Sequence, residues 1–477
     1  MAMRSRLLAG GAMALALFTL APGAALAQTS EPATQAAQGF QVSPEYYTLD
    51  NGLKVVLLRD AAAPTATVGV YYGIGFRIEP QDRTGFAHLF EHLLFQGSEN
   101  ADKGVFIDLV TNSGGAMNGS TRFDFTNYYE VVPTGALEAI LWGEADRMAR
   151  PVINQEVLTN QQGVVASEVR VNVLNQPYGG WPWLWLPQAA NTNWYNAHNF
   201  YGELEDLEAA TVEDAQTFHD DFYRPNNSGL VVAGDSDYAQ TREWIDRYFG
   251  PIPQGEPVVL PDISEPRQEE AKVVTRNDPL APRPAWAAGW HVPERGTPEW
   301  YAIGLIDQLM VQGADSRLYQ KLVRDEALTG SVMGGVNIGL GNLYNYNGPM
   351  LWTVALMHDA DVTDEQITAA VDEVVADLIA NPVSQEELDR ARTKIRSNFY
   401  SMVDSGTRFG LVDLLAVYAL FDDDPSKVNE IEAGFAAVTP ELIQQVARDY
   451  LRPTNRTILL TEAGAAPADA AQPEAAQ

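Results

Sequence analysis

The chain has 477 residues, no cysteine and a formal net charge of −32. That charge argues against nucleic acid and anionic membrane as partners, and the missing cysteines exclude disulfides and a lipidated N-terminal cysteine. An acidic surface kept for solubility is the plain reading of the charge; an affinity for cationic peptides is the sharper one.

Arg4 and Arg6 precede an apolar run from Leu7 to about Leu20, and Ala25-Leu26-Ala27 is a small-x-small cleavage site. Residues 1–27 read as a secretory signal peptide cleaved after Ala27, and the mature protein as soluble and periplasmic. No other stretch approaches transmembrane length, so no stable membrane insertion is expected. Gln28 to about Gly39 and Ala463 to Gln477 are rich in Ala, Pro and Gln and read as disordered ends.

Tyr46 to Arg59 predicts two strands around an Asn51-Gly52 turn, and Thr65 to Tyr72 a third. TGFAHLFEHLLFQG, residues 84–97, predicts about three turns of helix with Thr84 as N-cap and Gly97 as C′ residue. Phe106 to Thr111 belongs to a second helix. AMNGSTRFDFTNYYEVV, residues 116–132, is a strand pair by its β-branched and aromatic content. Thr134 to Met148 and Asn154 to Val173 read as helices. Tyr178 to Tyr201 holds Trp181, Trp183, Trp185 and Trp194 and reads as a long loop, its tryptophans either core or a wall against substrate. Thr211 to Tyr223 is helical and Ser228 to Ala233 a strand. The Pro-rich, acidic residues 251–275 read as a linker between domains at 40–250 and 276–462.

The second domain repeats the first. HLFEHLLFQG (88–97) lies over GLIDQLMVQG (304–313), and TVEDAQTFHDDFYRPNN (211–227) over TPELIQQVARDYLRPTN (439–455).

The helix at 84–97 carries the chemistry. Its residues are apolar nearly all round, the mark of a buried helix, yet it bears His88, Glu91 and His92. At i and i+4 both imidazoles leave one face and can reach one zinc ion, with Glu91 beside them as base. The order H-x-x-E-H inverts the common zinc-protease order. The repeat acts as an internal control: His88 falls on Gly304, Glu91 on Asp307 and His92 on Gln308. The helix persists without the ligands, so the fold does not require them. Catalytic zinc needs a third protein ligand. Glu168 is the choice: it sits among Val164, Val165 and Val169, some 76 residues beyond His92, and its counterpart in the second domain is Asn398.

With that spacing, the chain resembles the pitrilysin/insulinase family of zinc metallopeptidases, and among them the bacterial relatives of mitochondrial processing peptidase. GFRIEPQDRTGFAHLFEHLLFQGS (75–98), GGAMNGSTRFDFTNYYEVVP (114–133), VVASEV (164–169) and FYRPNNSGLVVAGD (222–235) carry the likeness, and GADSRLYQKLVRDEAL (313–328) extends it. The resemblance implies an α+β fold: two duplicated domains, each a mostly antiparallel sheet with helices packed on it, facing each other as a clamshell. It implies a zinc endopeptidase in which His88, His92 and Glu168 bind Zn2+ and Glu91 is the base. It also implies an edge strand around Gly115 to Thr121 that takes up peptide by β-augmentation, with Asn118 on the substrate backbone.

Two departures from the family pattern stand out. A glutamate is often found seven residues before the third ligand, and here that position is Gln161. An Arg and a Tyr of the second domain grip substrate in the family. Arg324 is the candidate for the first, whereas the Tyr position falls near Gly330 or Ser331, which leaves Tyr344 or Tyr346 as replacements or points to a related zinc-less partner in a heterodimer. The competing reading is a non-catalytic peptide-binding or scaffold subunit of the same fold. His198, His219, His291 and His358 are scattered singly, which argues against metal storage.

Overall fold

The computed structural model describes residues 39–464; the signal-peptide reading of residues 1–27 and nearly all of the C-terminal tail fall outside them. Two mixed sheets form the frame. The first has six strands in the order β1-β2-β6-β3-β5-β4, with β1 Glu45–Thr48, β2 Lys54–Arg59, β3 Thr65–Tyr72, β4 Ala116–Thr121, β5 Thr126–Pro133 and β6 Ser228–Gly234. The second has five in the order β7-β11-β8-β10-β9, with β7 Lys272–Asp278, β8 Ala285–His291, β9 Met333–Val336, β10 Leu351–Met357 and β11 Arg456–Ala463. In both, one pair is parallel, β2 with β6 and β7 with β11, and the other pairs are antiparallel. The duplication read from the sequence is therefore a duplication of topology. The difference is β1, which pairs with β2 in the first sheet and has no counterpart beside β7 among the described residues.

Helices α1 Phe86–Leu93, α2 Val105–Asn112, α3 Leu137–Ala149 and α4 Gln155–Val169 follow in the first half. Nine residues of α3 are buried, so it is a core helix more than an amphipathic one. The helix Val212–Phe222 starts with a capping box from Thr211 and Asp214. α1 packs on α4, on β4 and on that helix. In the second half, Pro298–Met310 packs the same way on Gln385–Val403, on β9 and on Pro440–Tyr450. Residues 251–271 contain neither strand nor helix.

Each half also lends a helix to the other's sheet. The short α5, Trp185–Ala190, lies in the tryptophan-rich segment of the first half and covers β7, β8 and β11. The helix Phe409–Asp422 of the second half covers β2, β3 and β6. Small residues on the two central strands admit these helices. Ala285, Ala287 and Gly289 alternate with Trp286 and Trp290 along β8; a Cβ on Gly289 would lie 3.2 Å from Leu186 of α5. On β3, a Cβ on Gly69 would lie 2.7 Å from Val412. Leu411, Val412, Leu414, Leu415 and Val417 of the second-half helix are buried, each worth roughly 1.5–3 kcal/mol of apolar burial. That helix and α5 went unread in the sequence. A run such as FGLVDLLAVYALFD is apolar on every side because it is buried on every side, and nothing local says which sheet it meets.

Candidate metal centre

α1 is shorter than its sequence suggested and is capped from elsewhere. Its N-cap is Gly85, at φ 81, where a Cβ would sit 2.3 Å from the carbonyl oxygen of Tyr201. The buried Glu79 carboxylate accepts hydrogen bonds from the backbone N–H groups of Gly85 (2.7 Å) and Ala87 (3.1 Å). An anion is thereby held at the positive end of the helix. Thr84, the expected N-cap, serves another purpose: its hydroxyl donates to Asp206 at 2.5 Å and accepts from the N–H of Glu203 at 2.9 Å. Nor is Gly97 the C′ residue. The helix ends at Leu93, and Gly97 turns the chain at φ 106 just before Ser98 bridges to Ala101 and Pro151.

Phe86, Ala87, Leu89, Phe90 and Leu93 anchor α1 in the core, which leaves His88, Glu91 and His92 facing α4 and the end of β4. α4 begins at Asn154, whose side chain accepts from the N–H of Val157, and buries Leu158, Val165 and Val169. Its last turn delivers Glu168; a π-helical turn, Arg170–Leu174, follows at once. The Nε2 atoms of His88 and His92 are 3.3 Å apart. Glu168 Oε1 lies 3.7 Å from the first and Oε2 3.3 Å from the second. Ligands at 2.0–2.2 Å from one tetrahedral ion are separated by roughly 3.3–3.6 Å. Two imidazole nitrogens and the Glu168 carboxylate at these spacings fit a single zinc ion and leave a coordination position free.

The surroundings favour that role. Burial, aided by the charge of His92, pushes His88 down to about 4, so its imidazole stays neutral. Its ring is packed against Phe200 and Tyr201. The hydrogen bond from His92 holds Glu168 below the ordinary carboxylate range, burial opposing it and His88 adding to it. The Tyr201 hydroxyl donates to Glu168 Oε1 at 3.2 Å. Burial raises Glu91, against a hydrogen bond from Thr121, whose hydroxyl donates to Glu91 Oε2 at 2.7 Å. Two imidazoles and a carboxylate with a second carboxylate beside them are equipped for metal-assisted hydrolysis.

Other residues singled out in the sequence are placed less centrally. β4 is the outer strand of its sheet, beside α1. Gly115 precedes it in close contact with Val131 and Val132, where a Cβ would come within 2.7 Å of both. Asn118 is exposed and accepts from the N–H of Gly119; strand alternation sets it on the face opposite Thr121. Gln161 is buried and donates to Asn160, without a hydrogen bond to Glu168. Arg324 is exposed above the ring of Tyr319, and among the described residues it forms no ion pair or hydrogen bond with the first half. Tyr344 and Tyr346, the two alternatives for the absent tyrosine, are both buried; the Tyr346 hydroxyl accepts from Trp300 in the second-half core, and Tyr344 lines a cavity of that half.

Glu79, Thr121 and Tyr201 were not picked out by the sequence, because their partners lie far along the chain and no local pattern marks them.

At the matching place in the second half, Gly304, Asp307, Gln308 and Asn398 line one cavity of about 240 Å³ with Gly335 of β9. These are the four positions the repeat sets opposite His88, Glu91, His92 and Glu168. Among the described residues, His88, His92 and Glu168 are the one group able to hold a metal.

Residues 54–178 match the family model described as Insulinase (Peptidase family M16), and residues 209–395 the one described as Peptidase M16 inactive domain. The chain belongs to the insulinase family. The inactive-domain match takes in Gly304 and Gln308, where that half has lost its ligands. This insulinase-family chain is 25% identical to the zinc protease PqqE of Helicobacter pylori over 89% of its own length and 94% of the relative's. It is 23% identical to a probable mitochondrial-processing peptidase subunit beta of Arabidopsis thaliana, over 85% of this chain and 75% of that one. A crystal structure of a protease from Helicobacter pylori shares its fold with a TM-score of 0.81 at 23% identity, covering 89% of this chain and all of that one. The two-domain α+β clamshell implied by the sequence is thus the fold of the chain. Among the described residues, no helix is long and apolar enough to cross a membrane.

Proposed function

We propose that this chain is a zinc-dependent endopeptidase acting on peptides or unfolded polypeptides held between its two halves. The observation that carries the reading is the close approach of His88, His92 and Glu168 with Glu91 one residue away, in a family whose relatives are named zinc proteases. When bound there, zinc supplies Lewis acidity, acidifying a water and polarising a carbonyl. The protein's own groups do the rest. His88 and His92 present ring nitrogens to the metal, Tyr201 steadies Glu168, and Glu91 takes a proton from the attacking water and returns it to the leaving amine. The open edge of β4 offers backbone groups to an extended peptide, which favours unfolded substrates over folded ones. Residues 1–27 support export to the periplasm.

A second unit is part of this proposal. Among the described residues Arg324 makes no ion pair or hydrogen bond with the first half, and Tyr344 and Tyr346 are buried in the second half, so the second-domain grip expected of the family is read as incomplete in this chain. A related zinc-less subunit in a heterodimer would supply it. The non-catalytic scaffold reading is disfavoured by the intact set in the first half.

Purified protein should contain about one zinc per chain and cleave a quenched unfolded peptide. Chelation should abolish cleavage and added zinc restore it, while a stably folded, loop-free domain should survive. Zinc-free protein that hydrolyses peptides, or zinc-loaded protein inert both alone and with every co-purifying relative, would refute the proposal.

A further inference from the structure

The Glu91 carboxylate is held by one group. Among the described residues its side-chain hydrogen-bond donor is Thr121, at 2.7 Å, a residue only 3% exposed. Thr121 is the last residue of β4 and pairs with Thr126 of β5. Alternation along β4 turns Met117, Gly119 and Thr121 toward α1, and a Cβ on Gly119 would press on Phe95 just beyond that helix. The strand whose free edge is open to an extended peptide therefore ends on the hydroxyl that fixes the carboxylate.

The second half shows what becomes of this contact where no metal set exists. Its counterpart strand, β9, reads Met-Gly-Gly-Val and ends on Val336, which has no hydroxyl. Asp307, at the position of Glu91, is held from β10 instead, by the indole N–H of Trp352 at 2.9 Å. The hydroxyl on the outer strand accompanies the metal-binding set and is lost with it.

We propose that Thr121 is a positioning residue. It fixes the rotamer of Glu91 so that one carboxylate oxygen is tied down and the other is left facing the metal side, and it sets that geometry from the strand that would bind substrate. This rests on the reading of Glu91 as the base. Thr121→Val is nearly isosteric but cannot donate; Thr121→Ser retains the donor.

The test reads both structure and rate. Crystals of zinc-loaded wild type, Thr121→Val and Thr121→Ser would locate the Glu91 carboxylate. It should keep its bond to the hydroxyl in wild type and Ser, and swing to another rotamer in Val, with zinc content equal in all three. With a quenched peptide, Thr121→Val should lower kcat about 10-fold or more at nearly unchanged KM, and Thr121→Ser should restore most of it. A Glu91 carboxylate in the same place in the Val variant as in wild type would overturn the proposal, whether or not the protein hydrolyses peptide. So would a Val variant with full kcat. A wild type that binds zinc and cleaves nothing, both alone and with every co-purifying relative, would sink the functional reading, while the crystallographic arm still decides the role of Thr121.

Discussion

Asp307 is buried where Glu91 is needed, and its chemistry has changed accordingly. Burial raises it from an ordinary 3.8 to about 6, with Trp352 opposing the shift. A carboxyl raised in the folded state binds its proton more tightly there than in the unfolded chain. It therefore stabilises the fold at low pH, and that contribution is lost as pH climbs from about 4 through about 6. The loss amounts to roughly 2–3 kcal/mol. Asp307→Asn keeps an acceptor for Trp352 and carries no charge. It should raise the Tm at pH 7.5 and flatten the fall in stability between pH 4 and 6; an unchanged pH profile would show that Asp307 titrates normally. At this scale the sequence was legible where chemistry is local. His88, Glu91 and His92 share one helix, and Glu168 was found because a charged residue in an apolar setting has no counterpart in the repeat. Thr before an apolar run is the usual cap signal, yet at Thr84 the cap is supplied by Gly85 and the Glu79 carboxylate. Arg324, the candidate for the family's arginine, is exposed above Tyr319 and makes no ion pair or hydrogen bond with the first half among the described residues.

Among the elements, the strands were the most readable, since alternation and turn residues are local signals; β3 was bounded to the residue. Elements that cross between halves were not. Helix Phe409–Asp422 and α5 are defined by the sheet each covers, and that contact is invisible to any window of sequence. The fit of the first can be tested at Gly69, where an added methyl would meet Val412 at 2.7 Å. Gly69→Ala should cost about 1–3 kcal/mol by overpacking. Val412→Ala alone should also destabilise, by leaving a gap. Together they should cost clearly less than the sum, read as a double-mutant cycle in chemical denaturation. Strict additivity would mean that the helix does not bear on β3 as described.

For the whole molecule, duplication explains both the symmetry and its failure. Two sheets of the same order were kept, each roofed by a helix from the other half, while the ligands survived in one half alone. Because the roofing helices are exchanged, each half depends on the other to cover part of its sheet. Calorimetry of the intact chain should therefore show a single unfolding transition, and the two halves expressed apart should be insoluble or unfolded; two well-separated transitions would contradict the exchange. The sequence revealed the duplication through short matching segments, but not the exchange.

In the proposed reaction Glu91 works as a base beside a metal it does not bind. Zinc content and peptide hydrolysis measured together on Glu91→Gln test it most directly. The variant should hold as much zinc as wild type and lose hydrolysis by at least about 100-fold, while Glu168→Ala should lose the zinc itself. Near-normal turnover by Glu91→Gln, or its failure to hold zinc, would contradict the account.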